Sequence, residues 1–217
     1  MDLIERIEQP GPKKLLALDG GGIRGVLALG SLKKIEDILK AQSGRADFRL
    51  ADYFDYISGT STGAIIATGL SIGMSVDEIL KFYRDAGAQM FAKANLLKRL
   101  RYKFEDEPLA KKLQGVFGIG TTFGSDRMRT LLMMVMRNAT TDSPWPLSNN
   151  PYAKYNNEPT RFDDNLNFPV VGETEMCAFE ASRATLCRLN VEWHGSICIR
   201  ESHSFNRHVR NLVKPDI

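Results

Sequence analysis

Cysteine and histidine are both absent from the first 172 residues of this 217-residue chain. The three cysteines, at positions 177, 187 and 198, match neither a disulfide framework nor a zinc pattern. No apolar run approaches the roughly 18 residues of a membrane span, and no charged-then-apolar leader opens the chain. We therefore expect neither a transmembrane helix nor a signal peptide, and a reducing, cytoplasmic setting. The net charge of +3 is too small to indicate a nucleic-acid partner.

The composition, 43% hydrophobic and 25% charged, predicts a globular domain of ordinary size. Residues 14–85 alternate strand, helix, strand and helix patterns, which is typical of an α/β domain with a parallel sheet. The predicted elements are strands at 14–19, 52–58 and 130–136, helices at 25–40, 64–70, 75–85 and 108–117, and a loop at 141–157. The helix predicted at 75–85 begins with a capping box formed by Ser75 and Glu78.

A glycine-rich loop, Asp-Gly-Gly-Gly-Ile-Arg-Gly at residues 19–25, lies between the first predicted strand and the following helix. Glycines let several amide hydrogens point at one place, and the helix dipole reinforces them, so we expect an anion there. The anion could be a nucleotide phosphate, because Gly20-x-Gly22-x-x-Gly25 fits the dinucleotide fingerprint, or the oxyanion of acyl transfer. A helix-start turn without a ligand is the third reading. A nucleotide site also needs an acidic residue roughly 20 positions on, after a second strand, and Asp47 has no apolar strand before it.

The pentapeptide Gly-Thr-Ser-Thr-Gly at residues 59–63 also lies between a strand pattern and an apolar helix pattern. A serine between two glycines at such a junction is typical of a nucleophile elbow. The tight turn exposes the serine hydroxyl near the positive end of the next helix. If the two predicted strands are parallel neighbours, the elbow and the glycine loop share one edge of the sheet, and Ser61 faces the loop.

Together these two motifs resemble those of the patatin-like phospholipases, in particular bacterial members, and the resemblance extends over about residues 13–170. The proline- and asparagine-rich residues 141–151 add to it. The resemblance implies a patatin-like three-layer sandwich with a central, mostly parallel sheet. It assigns residues 13–172 to the N-terminal part of an acyl hydrolase domain. The implied activity is lipid degradation, with a phospholipid or other acyl lipid cleaved through a serine acyl-enzyme and no metal or organic cofactor.

The resemblance also assigns the site. Ser61 is the implied nucleophile. The implied oxyanion hole is Gly20, Gly21, Gly22, Arg24 and Gly25, and the implied elbow around the serine is Gly59, Thr60, Thr62 and Gly63. Arg24 would also help position the loop or a phosphate headgroup.

The catalytic base is where the sequence departs from the family. Patatin-like enzymes take it from a late Asp-Gly-Gly or Asp-Gly-Ala motif, whereas the only Asp-Gly pair here is Asp19-Gly20. Residues 173–217 lose apolar periodicity, and we treat them as a divergent tail whose histidines carry no signature of a Ser/His pair. With the base unknown, we expect a hydrolase with impaired activity. Two alternatives stay open: a catalytically inactive lipid-binding or interaction module, and a nucleotide-binding protein.

A basic stretch at residues 92–104 carries five cations among apolar residues. One reading is peripheral contact with an anionic lipid surface. The other is a solvated helix or loop that packs its apolar residues inward.

Overall fold

The computed structural model describes residues 3–22, 25–90, 106–118, 121–137, 144–153 and 197–201. These ranges contain six helices and five strands. In chain order they are α1 (Leu3–Glu8), β1 (Lys14–Leu18), α2 (Gly25–Ser43), α3 (Leu50–Tyr53), β2 (Tyr56–Thr60), α4 (Thr62–Ser71), α5 (Val76–Met90), α6 (Asp106–Phe117), β3 (Leu131–Arg137), β4 (Pro144–Ser148) and β5 (Ile197–Glu201). No helix within these ranges has the length and apolar character needed to span a membrane.

The strands form one sheet in the order β4-β3-β2-β1-β5. Strand β2 is parallel to both of its neighbours, with Gly59 opposite Leu18 on β1 and opposite Met134 on β3. Strands β4 and β5 run antiparallel at the two sides. The predicted α/β fold with a mostly parallel central sheet is confirmed. This register places the carboxyl ends of β1 and β2 side by side.

Helix α4 forms the centre of the core, because all ten of its residues are buried. It packs against β1, β2 and β3, and Ile65, Ile66 and Leu70 belong to the main hydrophobic cluster. A helix without a polar face is stable only when it is surrounded by the protein. Its position fixes the turn that joins it to β2.

The helix predicted at 25–40 and the strand predicted at 130–136 appear as α2 and β3, with small shifts at their ends. The capping box is present: the Ser75 amide donates to Glu78 Oε2 over 2.7 Å, and the Glu78 amide donates to Ser75 Oγ over 3.2 Å. A second carboxylate, the buried Glu36, accepts the Val76 amide at the same helix start over 3.3 Å.

The prediction of a loop throughout 141–157 is wrong, because β4 lies within it. Pro144 and Pro146 are two positions apart, so they lack an N–H on the same side of the strand. β4 pairs with β3 alone among the described strands, and prolines are tolerated on an edge strand whose missing N–H groups face away from the neighbour. Buried Asn149 continues the pairing, since its Oδ1 accepts the Leu132 amide over 2.7 Å.

The start of the predicted strand at 52–58 is also wrong. Residues 52 and 53 belong to α3, and β2 begins at Tyr56. The Asp52 carboxylate accepts the Arg49 amide over 3.1 Å and so stabilises the first turn of that short helix. Aromatic residues alone therefore did not distinguish a strand from a helix turn here.

The sequence of the tail, residues 173–217, has no apolar period that predicts a strand. In the structure, however, residues 197–201 form strand β5 beside β1. Arg24, the basic stretch at 92–104, the three histidines and the domain boundary at 172 lie outside the described residues. The division into 13–172 and 173–217 stays a prediction.

The capping box predicts a pH-dependent contribution to stability. The Ser75 amide, and then its hydroxyl, hold the pKa of Glu78 below its ordinary value. A carboxyl whose pKa is lowered by folding stabilises the protein above its unfolded pKa, and that contribution is lost as the pH falls through the folded pKa. We expect Glu78→Gln to lower the free energy of unfolding by about 0.3–1 kcal/mol at pH 7.

The difference in the free energy of unfolding between wild type and Glu78→Gln should shrink as the pH falls below 4.5, the ordinary pKa of a glutamate side chain. Urea unfolding at pH 7 and pH 3.5 measures it. The exposed Asp85, beyond the first turn of the same helix, provides the control Asp85→Asn. A Glu78→Gln difference that is equal at both pH values would contradict the prediction.

Candidate active site

The structure brings the glycine loop and the elbow together at one edge of the sheet. β1 leads into the loop and β2 leads into Ser61, and the two strands are parallel neighbours. The Gly20 amide donates to Thr60 Oγ1 over 3.0 Å. A Cβ atom at Gly20 would lie 2.6 Å from Ser61 Cβ and 3.3 Å from Ser61 Oγ. Glycine is therefore needed at position 20 for the loop to approach the serine.

Ser61 has an unusual backbone conformation, with φ 51° and ψ −127°. Within the ranges that the structure describes, it is the only residue other than glycine with a positive φ. Such a conformation costs on the order of 1–3 kcal/mol and persists only where its surroundings enforce it. Here a central strand and a buried helix are joined by this single residue, so the chain has no other way to turn.

The two glycines of the elbow lie in close contact with neighbouring backbone. A Cβ at Gly59 would lie 2.4 Å from the carbonyl carbon and oxygen of Gly63, and a Cβ at Gly63 would lie 2.2 Å from the Leu18 carbonyl oxygen. Real Cβ atoms do not approach backbone so closely. The spacing of the motif thus reflects the direct packing of α4 on β1 as well as the turn itself.

Thr62, the first residue of α4, is buried and held by a residue that the motifs did not reveal. Tyr83 on α5 donates its hydroxyl to the Thr62 carbonyl over 3.0 Å. Burial raises the pKa of Tyr83, so the hydroxyl remains a donor. In sequence, Tyr83 is one aromatic residue on an apolar helix face, and nothing in that pattern indicates a contact with the elbow.

The electrostatics of this edge favour a negative charge. Helices α2 and α4 both begin here, and neither has an acidic residue in its first turn. Each helix start carries roughly half a positive elementary charge. Four glycines of the loop lie at this edge: Gly20, Gly21, Gly22 and Gly25. Gly22 has a φ of 60°. The arrangement can hold an oxyanion or another small anion next to Ser61 Oγ.

Asp47 does not occupy the place that a dinucleotide site requires. It lies between α2 and α3, its side chain is 76% exposed, and it pairs with Arg45 over 3.1 Å. The next strand in the chain is β2, and its carboxyl end leads to Ser61. The described residues contain no group of three or more histidine, cysteine, aspartate or glutamate side chains able to hold a metal ion.

None of the aspartates in the described ranges is assigned as the catalytic base for Ser61. Asp52 lies in an ion pair with Arg129, and Asp55 in one with Arg6. Asp19 begins the glycine loop and is half-buried, with interactions of its own.

A strand–serine–helix turn that faces a glycine loop on a parallel sheet defines the class of α/β proteins with a serine elbow. The chain belongs to the patatin-like phospholipase family, whose model matches residues 16–172. The family inferred from the two motifs is confirmed.

Relatives of the chain include bacterial and plant proteins. It is 33% identical over 142 residues to a cGAMP-activated phospholipase of Vibrio cholerae, covering 60% of this chain and 39% of that protein. It is 32% identical over 149 residues to a cGAMP-activated phospholipase of Escherichia coli, covering 66% and 41%. It is 36% identical over 111 residues to Patatin-17 of Solanum cardiophyllum, covering 48% and 28%. The chain therefore spans about two fifths of the length of the two bacterial relatives.

The packing of the elbow predicts opposite effects of two glycine substitutions. Gly63→Ala places a methyl group against the β1 backbone and should lower the free energy of unfolding by at least about 2 kcal/mol. Gly30→Ala, inside α2, meets no atom within 4 Å and should raise it by about 0.5–1 kcal/mol. Urea unfolding of both variants tests this. Effects of the same sign would contradict the geometry.

The strain at Ser61 gives a second prediction. Ser61→Gly removes the side chain that disfavours a φ of 51°, so the free energy of unfolding should rise by about 1 kcal/mol. Ser61→Ala keeps a Cβ atom and should show no such gain. Equal stability of the two variants would limit the strain at residue 61 to the roughly 0.5–1 kcal/mol that glycine loses through the greater freedom of the unfolded chain.

Proposed function

We propose that this chain is a lipid acyl hydrolase of the phospholipase A type, which cleaves ester bonds through an acyl-enzyme on Ser61. The observation that carries the proposal is the strained turn at Ser61, packed directly against Gly20. Strain of this kind is typical of functional sites. Membership of the patatin-like phospholipase family and the names of the relatives support the class of reaction.

In the proposed reaction, a base takes the Ser61 hydroxyl proton while Oγ attacks the ester carbonyl carbon. The carbonyl oxygen becomes an oxyanion, and the amides of Gly21 and Gly22, assisted by Arg24, are the proposed donors to it. The Gly20 amide already donates to Thr60 Oγ1, and Gly25 lies beside Thr62 at the other end of the loop. The ester bond breaks and the alcohol leaves with a proton, so the acyl group remains on Ser61. Water then attacks the acyl-enzyme, releases the fatty acid and returns the proton to Ser61. This scheme uses no metal or organic cofactor.

The proposed substrate is a phospholipid or another acyl lipid, and the proposed setting is the cytoplasm with peripheral contact at a membrane. The starts of α2 and α4 favour negative charge, which is consistent with a phosphate headgroup near the glycine loop. The position of Asp47 argues against the nucleotide-binding alternative. No nucleic-acid partner is proposed.

A fluorophosphonate probe tests the nucleophile. We expect the wild-type chain to carry a covalent adduct on Ser61, identified by peptide mass spectrometry, because the elbow turn presents the serine hydroxyl at the edge of the sheet beside the glycine loop. Ser61→Ala should remain unlabelled. The control Ser31→Ala, an exposed serine on α2, should be labelled at the wild-type rate.

The same variants on phospholipid vesicles separate the hydrolase from the inactive module. Fatty-acid release by wild type that is abolished in Ser61→Ala supports the proposal. Vesicle binding by both proteins with neither labelling nor release would favour the lipid-binding module and contradict the hydrolase.

A further inference from the structure

Two threonines flank Ser61, and they face the two ends of the glycine loop. Thr60 Oγ1 accepts the amide of Gly20, at the beginning of the loop, over 3.0 Å. Thr62 Oγ1 lies 3.4 Å from the position that a Cβ atom would take at Gly25, where the loop ends and α2 begins. The hydrogen bond at the first end is formed.

At the second end, the hydroxyl of Thr62 is buried and has no hydrogen-bond partner in the described part of the chain. A threonine inside a helix usually donates to the carbonyl four residues earlier, as Thr68 does to Ala64 over 2.9 Å. Thr62 is the first residue of α4, and the residue four positions before it, Ser58, belongs to strand β2. The helix therefore offers Thr62 no such acceptor.

The main chain of Thr62 is also held in place, because the Tyr83 hydroxyl donates to the Thr62 carbonyl. A buried hydroxyl without a partner costs desolvation free energy, so each one requires an explanation. Here the hydroxyl lies at the start of the ten-residue α4 and faces the start of the 19-residue α2. Both helix starts favour negative charge at the same place.

We propose that Thr62 is a positioning residue for the reaction proposed above. Its hydroxyl oxygen accepts the Gly25 amide when the amides of Gly21 and Gly22 engage the developing oxyanion. Thr60 and Thr62 then hold the loop at both ends against Ser61. This inference rests on the proposed function, because it assigns Thr62 a role in that reaction.

The test compares fluorophosphonate labelling with stability. Thr62→Val removes the hydroxyl and keeps the branched shape. We expect its labelling rate at saturating probe to fall about 5- to 10-fold. The probe concentration that gives half of the maximal rate should not rise, and the urea concentration at the unfolding midpoint should not fall. Thr62→Ser, which retains the hydroxyl, should recover most of the rate.

Two variants serve as matched controls. Thr60→Val leaves the Gly20 amide unpaired, so both its labelling rate and its urea midpoint should fall. Thr68→Val makes the same change at a buried threonine six residues along α4 and should leave the labelling rate unchanged.

A Thr62→Val variant that is labelled at the wild-type rate would overturn the positioning role. So would a variant whose slower labelling comes with a lower urea midpoint, because the hydroxyl would then be merely structural. If wild type itself is not labelled, the proposed hydrolase fails and the positioning role fails with it. Labelling of wild type with normal labelling of Thr62→Val removes only the role of Thr62.

Discussion

Strand β2 passes into helix α4 through a single residue, and the rest of the site depends on this constraint. The strand lies in the middle of the sheet and all ten residues of the helix are buried, so neither element can shift to relax the turn. Ser61 takes a positive φ as a result. The same close packing excludes side chains at Gly59 and Gly63. Local strain at one residue is thus maintained by the apolar packing of the whole core.

Hydrogen bonds from polar groups add to the apolar packing around the turn. Thr60 fixes the start of the glycine loop, and Tyr83 fixes the start of α4. Farther away, Glu36 and Glu78 satisfy amides at the start of α5, the helix that carries Tyr83. Each of these bonds satisfies a donor or holds a helix end that would otherwise lack a partner. The hydroxyl of Thr62 is one of four buried side-chain atoms that have no hydrogen-bond partner in the described part of the chain, and it is the one that lies beside the glycine loop.

Most of the fold was predictable where local and tertiary preferences agree. The helix of residues 25–43 and the strand of residues 131–137 have strong apolar patterns, and the structure confirms them. The prolines at 144 and 146 suggested a loop, but an edge strand tolerates missing N–H groups on its outer side. Aromatic residues at 53 and 54 suggested a strand that begins only at Tyr56. In both cases the deciding factor was a neighbouring element that a local pattern does not contain.

The sequence by itself determined the two motifs, their strand-to-helix settings and the family, because glycine and serine at those spacings satisfy a demanding local geometry. Only the tertiary structure decided that Gly20 touches Ser61, since that contact depends on the parallel pairing of β1 and β2. It also brought Tyr83 to the elbow from 21 residues away, and it left the Thr62 hydroxyl beside Gly25 with no hydrogen-bond partner among the described residues. The physical reason is that backbone preferences act within a few residues, whereas contacts between loops are set by how sheet and helices pack together.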